Sequence, residues 1–74
     1  MTKIIKIINK KDSDGITILM YAIKNDKIEI CKMLIDNGAD LNSKDNNGKT
    51  PLMYAIINNN IKICEMLINK GVNK

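Results

Sequence analysis

The sequence repeats itself with a period of 33 residues. Laid without a gap over residues 45–74, residues 12–41 match at sixteen of thirty positions. Asp12 falls on Asp45, Gly15 on Gly48 and Thr17 on Thr50. The run Leu19-Met20-Tyr21-Ala22-Ile23 falls on Leu52-Met53-Tyr54-Ala55-Ile56, and Ile28, Ile30, Cys31, Met33, Leu34, Ile35 and Gly38 all recur. Ile, Lys and Asn supply more than half of the chain, so chance would match some of those three. Chance would not also align Asp, Gly, Thr, Tyr, Ala and Cys in order. Such a period constrains the fold strongly, because each unit is one supersecondary element whose apolar face only a neighbouring unit can bury.

Within a unit the punctuation reads turn, helix, turn, helix. Asp12-Ser13-Asp14-Gly15 and Asp45-Asn46-Asn47-Gly48 carry turn chemistry. Thr17 and Thr50 stand at N-cap positions, and Pro51 follows its cap where a missing N–H costs nothing. Short helices are predicted over about 18–25 and 51–58. Asn25-Asp26 and Asn58-Asn59-Asn60 end them, since Asn and Asp tolerate a left-handed backbone. Second helices over about 28–37 and 61–70 stop at Gly38 and Gly71. The apolar residues Ile30, Cys31, Leu34 and Ile35 form a helical stripe rather than a strand alternation.

These motifs, Asp-x-x-Gly-x-Thr-x-Leu followed by Ala, then the Ile-Glu-Ile-Cys-Lys-Met-Leu-Ile-x-x-Gly-Ala-Asp-Leu-Asn stretch at 28–42, resemble the ankyrin repeat. The resemblance covers residues 12–74. It implies an all-α solenoid of stacked helix-turn-helix units joined by β-turn or hairpin connections, divided as a partial N-terminal helix at 1–11, one repeat at 12–44 and a second at 45–74. Four features depart from the family pattern. Ile18 replaces the Pro of the Thr-Pro-Leu-His tetrapeptide, which Pro51 keeps. Met20 and Met53 replace its His, with expected loss of a bond to the loop. Ile23 and Ile56 replace a second Ala, which implies wider packing, and Asp26 and Asn59 replace the Gly of the inter-helix turn.

The two ends of the stack read differently. In residues 1–11, Ile4, Ile5 and Ile8 share a helical face, Thr2 is a candidate cap, and the lysines point elsewhere. A truncated second helix acting as a lid is expected, with a basic membrane-surface helix as the alternative. At the other end Ile63, Cys64, Met66, Leu67 and Ile68 repeat the interior pattern where a polar capping face is the norm. An apolar end face exposed after residue 60 is therefore expected. It belongs either to a piece of a longer array or to a surface that another chain covers, self-association included. Stacking also sets Glu29 beside Lys62 and Lys32 beside Glu65, two opposite-sign neighbours.

Composition narrows the chemistry. The 74 residues contain no His, so neither a Ser-His-Asp triad nor a His-ligated metal site can be built from them. Cys31 and Cys64 are too few for a disulfide framework or a four-ligand zinc site, and their repeated interior position reads as small apolar core. The glycines punctuate turns and form no phosphate loop. No cofactor, metal or catalytic residue is expected, and the chain is read as non-enzymatic. The net charge of +4 equals that of residues 1–11. With no Arg and two Tyr read as packed near the helix interface, nucleic-acid binding is a minor alternative, confined to weak contact by the N-terminal lysines. Neither a secretion-signal h-region nor a membrane-spanning run is present, so a cytoplasmic location is expected.

The remaining reading is a protein-interaction module with no small-molecule substrate. The resemblance implies binding to a protein partner through the concave face, formed by turn tips and exposed first-helix positions. Those positions are Ser13, Asp14, Ile16, Lys24 and Asn25, Lys44 in the joining loop, then Asn46, Asn47, Lys49, Ile57 and Asn58. Ile16 and Ile57 are the expected contact anchors, each placing an apolar side chain where solvent is expected. The competing reading is a spacer or fragment of a longer array with no binding of its own.

Overall fold

A computed structural model describes residues 2–71, the Thr2 side chain excepted; the proposed Thr2 cap and the loop beyond Gly71 lie outside the described residues. Five helices follow in order: α1 (Thr2–Ile8), α2 (Ile18–Lys24), α3 (Ile28–Asp36), α4 (Pro51–Ile57) and α5 (Ile61–Asn69). The last four end within a residue of the boundaries expected from the sequence, whereas α1 stops at Ile8 inside the segment 1–11 assigned to it. Among the described residues there is no strand.

Each repeat is an α-hairpin, α2 with α3 and α4 with α5, and the hairpins stack α2 on α4 and α3 on α5. Local chemistry sets the hairpins. Thr17 and Thr50 keep extended backbones, and their hydroxyls accept from the N–H groups of Met20 and Met53, each at 3.3 Å. Met20 corrects one expectation. Its thioether sulfur accepts the Thr17 N–H at 3.4 Å, so the first repeat recovers a weak loop bond where the loss of His had implied none. The inter-helix turns use positive φ at Asp26 (57°) and Asn59 (55°), so the family's Gly is replaced by the residue types that best tolerate that region.

Comparing each residue with its copy 33 positions on shows which way it faces. Met20 and Ile23 are fully buried, whereas Met53 and Ile56 are 46% and 61% exposed. These positions face the following repeat, which among the described residues lies against the first unit alone. The reverse holds for Tyr21 and Tyr54 and for Ile30 and Ile63: the first copy is 43% exposed in both pairs and the second is buried. These face the preceding repeat. Ala22 with Ala55 and Leu34 with Leu67 are buried in both units and hold each hairpin together.

Three expectations about the ends and seams change accordingly. The uncovered C-terminal face is real but begins before residue 60: it comprises Met53, Ile56 and Ile68, while Ile63 and Leu67 are fully buried and Cys64 and Met66 half-buried. The lid formed by α1 is partial. Ile5 packs over Gly38 and Ile8 reaches the core, but Ile4, Ile5 and Ile7 stay exposed, as do Ile30 and Met33 on α3. Its anchor is Asn9, whose amide donates to the Gly38 carbonyl at 3.1 Å and accepts the Asp40 N–H at 2.6 Å. Across the stack the close ion pair is Lys70 with Asp36 at 3.6 Å, not Glu29 with Lys62 or Lys32 with Glu65. The helices set those side chains beyond pairing distance, and the exposed pair that does form contributes little.

Candidate functional site: the concave groove

The turn tips that border the concave face are built around one aspartate each. In the first, Asp12 Oδ1 accepts from the N–H groups of Asp14 and Ile16, both at 2.9 Å, and Oδ2 accepts the Tyr21 hydroxyl. In the second, Asp45 Oδ1 accepts from Asn47 and Lys49, both at 2.8 Å, and Oδ2 accepts the Tyr54 hydroxyl. The tyrosine hydroxyl is the largest cause holding both carboxyls below the usual range, backbone N–H groups adding to it. The same bond pushes the Tyr54 phenol up to about 12, burial adding to it, and raises Tyr21 likewise. Sequence reasoning read Asp as turn chemistry and Tyr as packing, and missed that they bond. A signal existed, since the nine-residue Asp-to-Tyr spacing recurs in both units. Tyr21, moreover, is exposed rather than packed at an interface.

The two tips are joined. Asn46 donates its backbone N–H to the Asp14 carbonyl at 3.0 Å and its side-chain amide to the Ser13 carbonyl at 2.9 Å. Gly15 makes this approach possible: at φ +78°, a Cβ there would lie 2.6 Å from Asn46 Oδ1 and 2.8 Å from its backbone nitrogen. Further along, Asn58 donates its amide to the carbonyls of Ile23 and Lys24, each at 2.9 Å, tying α4 to the C-terminal end of α2.

Between these joints lies an open groove that spans both repeats. Asp14, Ile16 and Lys24 line it from the first unit; Asn46, Asn47, Lys49, Ile57 and Asn58 line it from the second, with Asp45 and Tyr54 at its floor. Eight of the eleven residues singled out from sequence thus share one surface. Ser13, Asn25 and Lys44 do not line it. The Ser13 carbonyl serves the tip joint, the Asn25 amide donates to the Tyr21 carbonyl at 2.8 Å, and the Lys44 carbonyl accepts the Lys11 ammonium at 2.8 Å. The two anchors differ as well. Ile57 stands 64% exposed, whereas Ile16 is half-buried against the core, which corrects its reading as a free apolar contact. Lys49 holds its ammonium 5.9 Å above the Tyr54 ring, so its stem is oriented along the groove wall.

A larger groove, not foreseen from sequence, lies between α3 and α5 on the opposite side. Ile28, Ile35 and Met66 form its apolar floor, and Glu29, Lys32, Lys62 and the Asp36–Lys70 pair its walls. Among the described residues no cluster of three or more His, Cys, Asp or Glu could hold a metal ion, and no helix is long and apolar enough to cross a membrane.

Repeated α-hairpins, stacked in register and linked by glycine-containing turn tips at one edge, define a helical-repeat solenoid. A family model described as ankyrin repeats (3 copies) matches residues 2–74, and the chain belongs to the ankyrin-repeat family. Members of that family generally serve as protein–protein interaction modules and are typically non-enzymatic. No curated protein sequence matches the chain.

Proposed function

We propose that this chain is a non-enzymatic binding module that holds a segment of a partner protein in the concave groove. One observation carries the reading: eight residues from two repeats, drawn from turn tips and first helices, line a continuous groove whose rim is fixed by the Asn46 and Asn58 joints. A groove held by inter-repeat bonds loses little entropy on binding. Its free chemistry is mixed. Lys24, Lys49 and Asp14 offer charge of both signs, Asn47 offers an amide, and Ile57 offers an apolar contact exposed in the free protein. That combination suits an extended or loop segment that carries mixed charge beside an apolar residue. Without Trp or Arg to act as a dominant anchor, affinity is expected to be modest.

The test is capture from the native lysate by immobilised chain. Lys49→Glu combined with Ile57→Asp changes two groove residues and touches neither joint. It is expected to abolish capture while far-ultraviolet circular dichroism shows the chain still folded, the melting temperature falling slightly because Lys49 no longer sits over Tyr54 beside Asp45. Capture that survives both changes refutes the groove as the binding surface.

A further inference from the structure

Beyond the groove, we propose that copies of this chain associate head to tail, the Met53–Ile56 face of one copy seating on the Tyr21–Ile30 face of the next. The interface already exists once inside each molecule. Met20 and Ile23 of the first repeat are buried by the second repeat, whose Tyr54 and Ile63 are buried in return. Both halves of that contact are duplicated, residue for residue, at the ends of the chain. Met53 and Ile56 copy Met20 and Ile23, and Tyr21 and Ile30 copy Tyr54 and Ile63. All four copies are exposed, between 43% and 61%. A second molecule is therefore a partner that offers the same four apolar contacts, although Pro51, Asn46 and Asn60 of the intramolecular seam are replaced by Ile18, Ser13 and Lys27 on the receiving face.

Two further features fit the same occupant. Asn58, the residue that ties α4 to the Ile23 and Lys24 carbonyls, is matched by Asn25 at the equivalent position. In a head-to-tail pair, Asn25 is placed to meet the neighbour's Ile56 and Ile57 carbonyls once its amide gives up the Tyr21 carbonyl it binds in the free chain. Opposite charges also recur there: Glu29 and Lys62 line one groove within the chain without forming an ion pair, and in a head-to-tail pair Lys62 of one copy lies on the side of Glu29 of the next, so the charge is compatible with the contact but adds no bond to it. The contact is heterologous, so it leaves one face of each kind free and grows with concentration rather than stopping at a dimer. The α1 helix opposes it. Ile5 on Gly38 and the Asn9 anchor hold α1 over the end of α3, at the margin of the receiving face, so α1 must shift for a second copy to seat fully.

Sedimentation equilibrium of the full chain tests this directly. Wild type is expected to gain average mass with concentration. Ile56→Lys, which blocks the donating face, and Ile30→Lys, which blocks the receiving face, are each expected to stay monomeric with unchanged far-ultraviolet circular dichroism. Mixed in equal amounts they should form a dimer that grows no further, since each supplies the face the other lacks. Ile18→Lys, also on the receiving face at 51% exposure, substitutes for Ile30→Lys should that variant unfold. Ile57→Lys removes an equally exposed isoleucine from the groove and should associate like wild type, which separates this proposal from the groove reading. Wild type that stays monomeric throughout overturns the proposal. So does an Ile30→Lys variant that self-associates, a mixture that stays monomeric, or an Ile57→Lys variant that loses association.

Discussion

Ile23→Ala and Ile56→Ala remove the same three carbons from the same position of two nearly identical units, yet they should differ sharply in cost. Ile23 is fully buried at the seam between repeats. Losing three buried methyl or methylene groups at ~0.8 kcal/mol each forfeits about 2.4 kcal/mol of transfer free energy. The cavity left behind brings the expected cost to ~2–5 kcal/mol. Ile56 is 61% exposed, so it retains about two fifths of that transfer term and no closed cavity, or roughly 1 kcal/mol. A domain of this length holds on the order of 4–11 kcal/mol in total, so only the first variant approaches global instability. Urea unfolding followed by circular dichroism reads the difference. With a slope near ~1 kcal/mol per molar, the midpoint should fall by about 2 M or more for Ile23→Ala and by about 1 M or less for Ile56→Ala. The measurement belongs at low protein concentration, where association contributes nothing. Ile30 and Ile63 supply the mirror experiment, because there the second copy is the buried one. Equal midpoint shifts within either pair would refute the assignment of faces on which the end surfaces rest.

Three other outcomes are expected. Gly48→Ala places an alanine at φ +80° in open space and should cost ~1–2 kcal/mol of backbone strain, whereas Gly15→Ala drives its Cβ into Asn46 and should lower the melting temperature well beyond that; equal losses would mean that the tip joint is loose. Cys64 should react with an aqueous thiol reagent before Cys31, which is fully buried and whose thiol burial pushes up to about 11, while in urea the two should react alike. The Asp–Tyr bonds should shape both ends of the pH–stability profile. The lowered carboxyls of Asp12 and Asp45 contribute stability that is full above their ordinary 3.8 and is lost as pH falls through the folded-state values. The raised Tyr54 phenol contributes stability that is full below 10 and is lost as pH rises toward about 12. Melting temperatures of Tyr54→Phe across pH should show a weakened alkaline loss between 10 and 12; an unchanged alkaline arm would mean that the Tyr54–Asp45 bond is not what raises the phenol.

Helix boundaries, caps and turns were legible in the sequence because they are set by neighbours a few residues apart. Thr17 and Thr50 cap the helices they precede, and Asp26 and Asn59 occupy the left-handed region their side chains tolerate. The site was legible in outline. The repeat period placed the groove residues in equivalent positions, and eight of eleven share a surface. Ser13, Asn25 and Lys44 lie off that surface, and Ile16, which lines it, is half-buried, because hydrogen bonds and packing with partners distant in the chain, or a turn away, decide whether a side chain or carbonyl is free.

The sequence by itself determined the unit: its length, its two helices, its turns and its family. It did so because identical local strings make identical local structures. Only the tertiary structure decided what the copies do with their identity. Ile23 and Ile56 have the same side chain and the same helix position, yet one is core and the other is surface. Local sequence cannot tell them apart, since burial depends on whether another unit lies against that face. The same physics explains Tyr21 and Tyr54, Met20 and Met53, and Ile30 and Ile63. A repeat encodes both sides of a contact in every unit, and the stack chooses which sides meet.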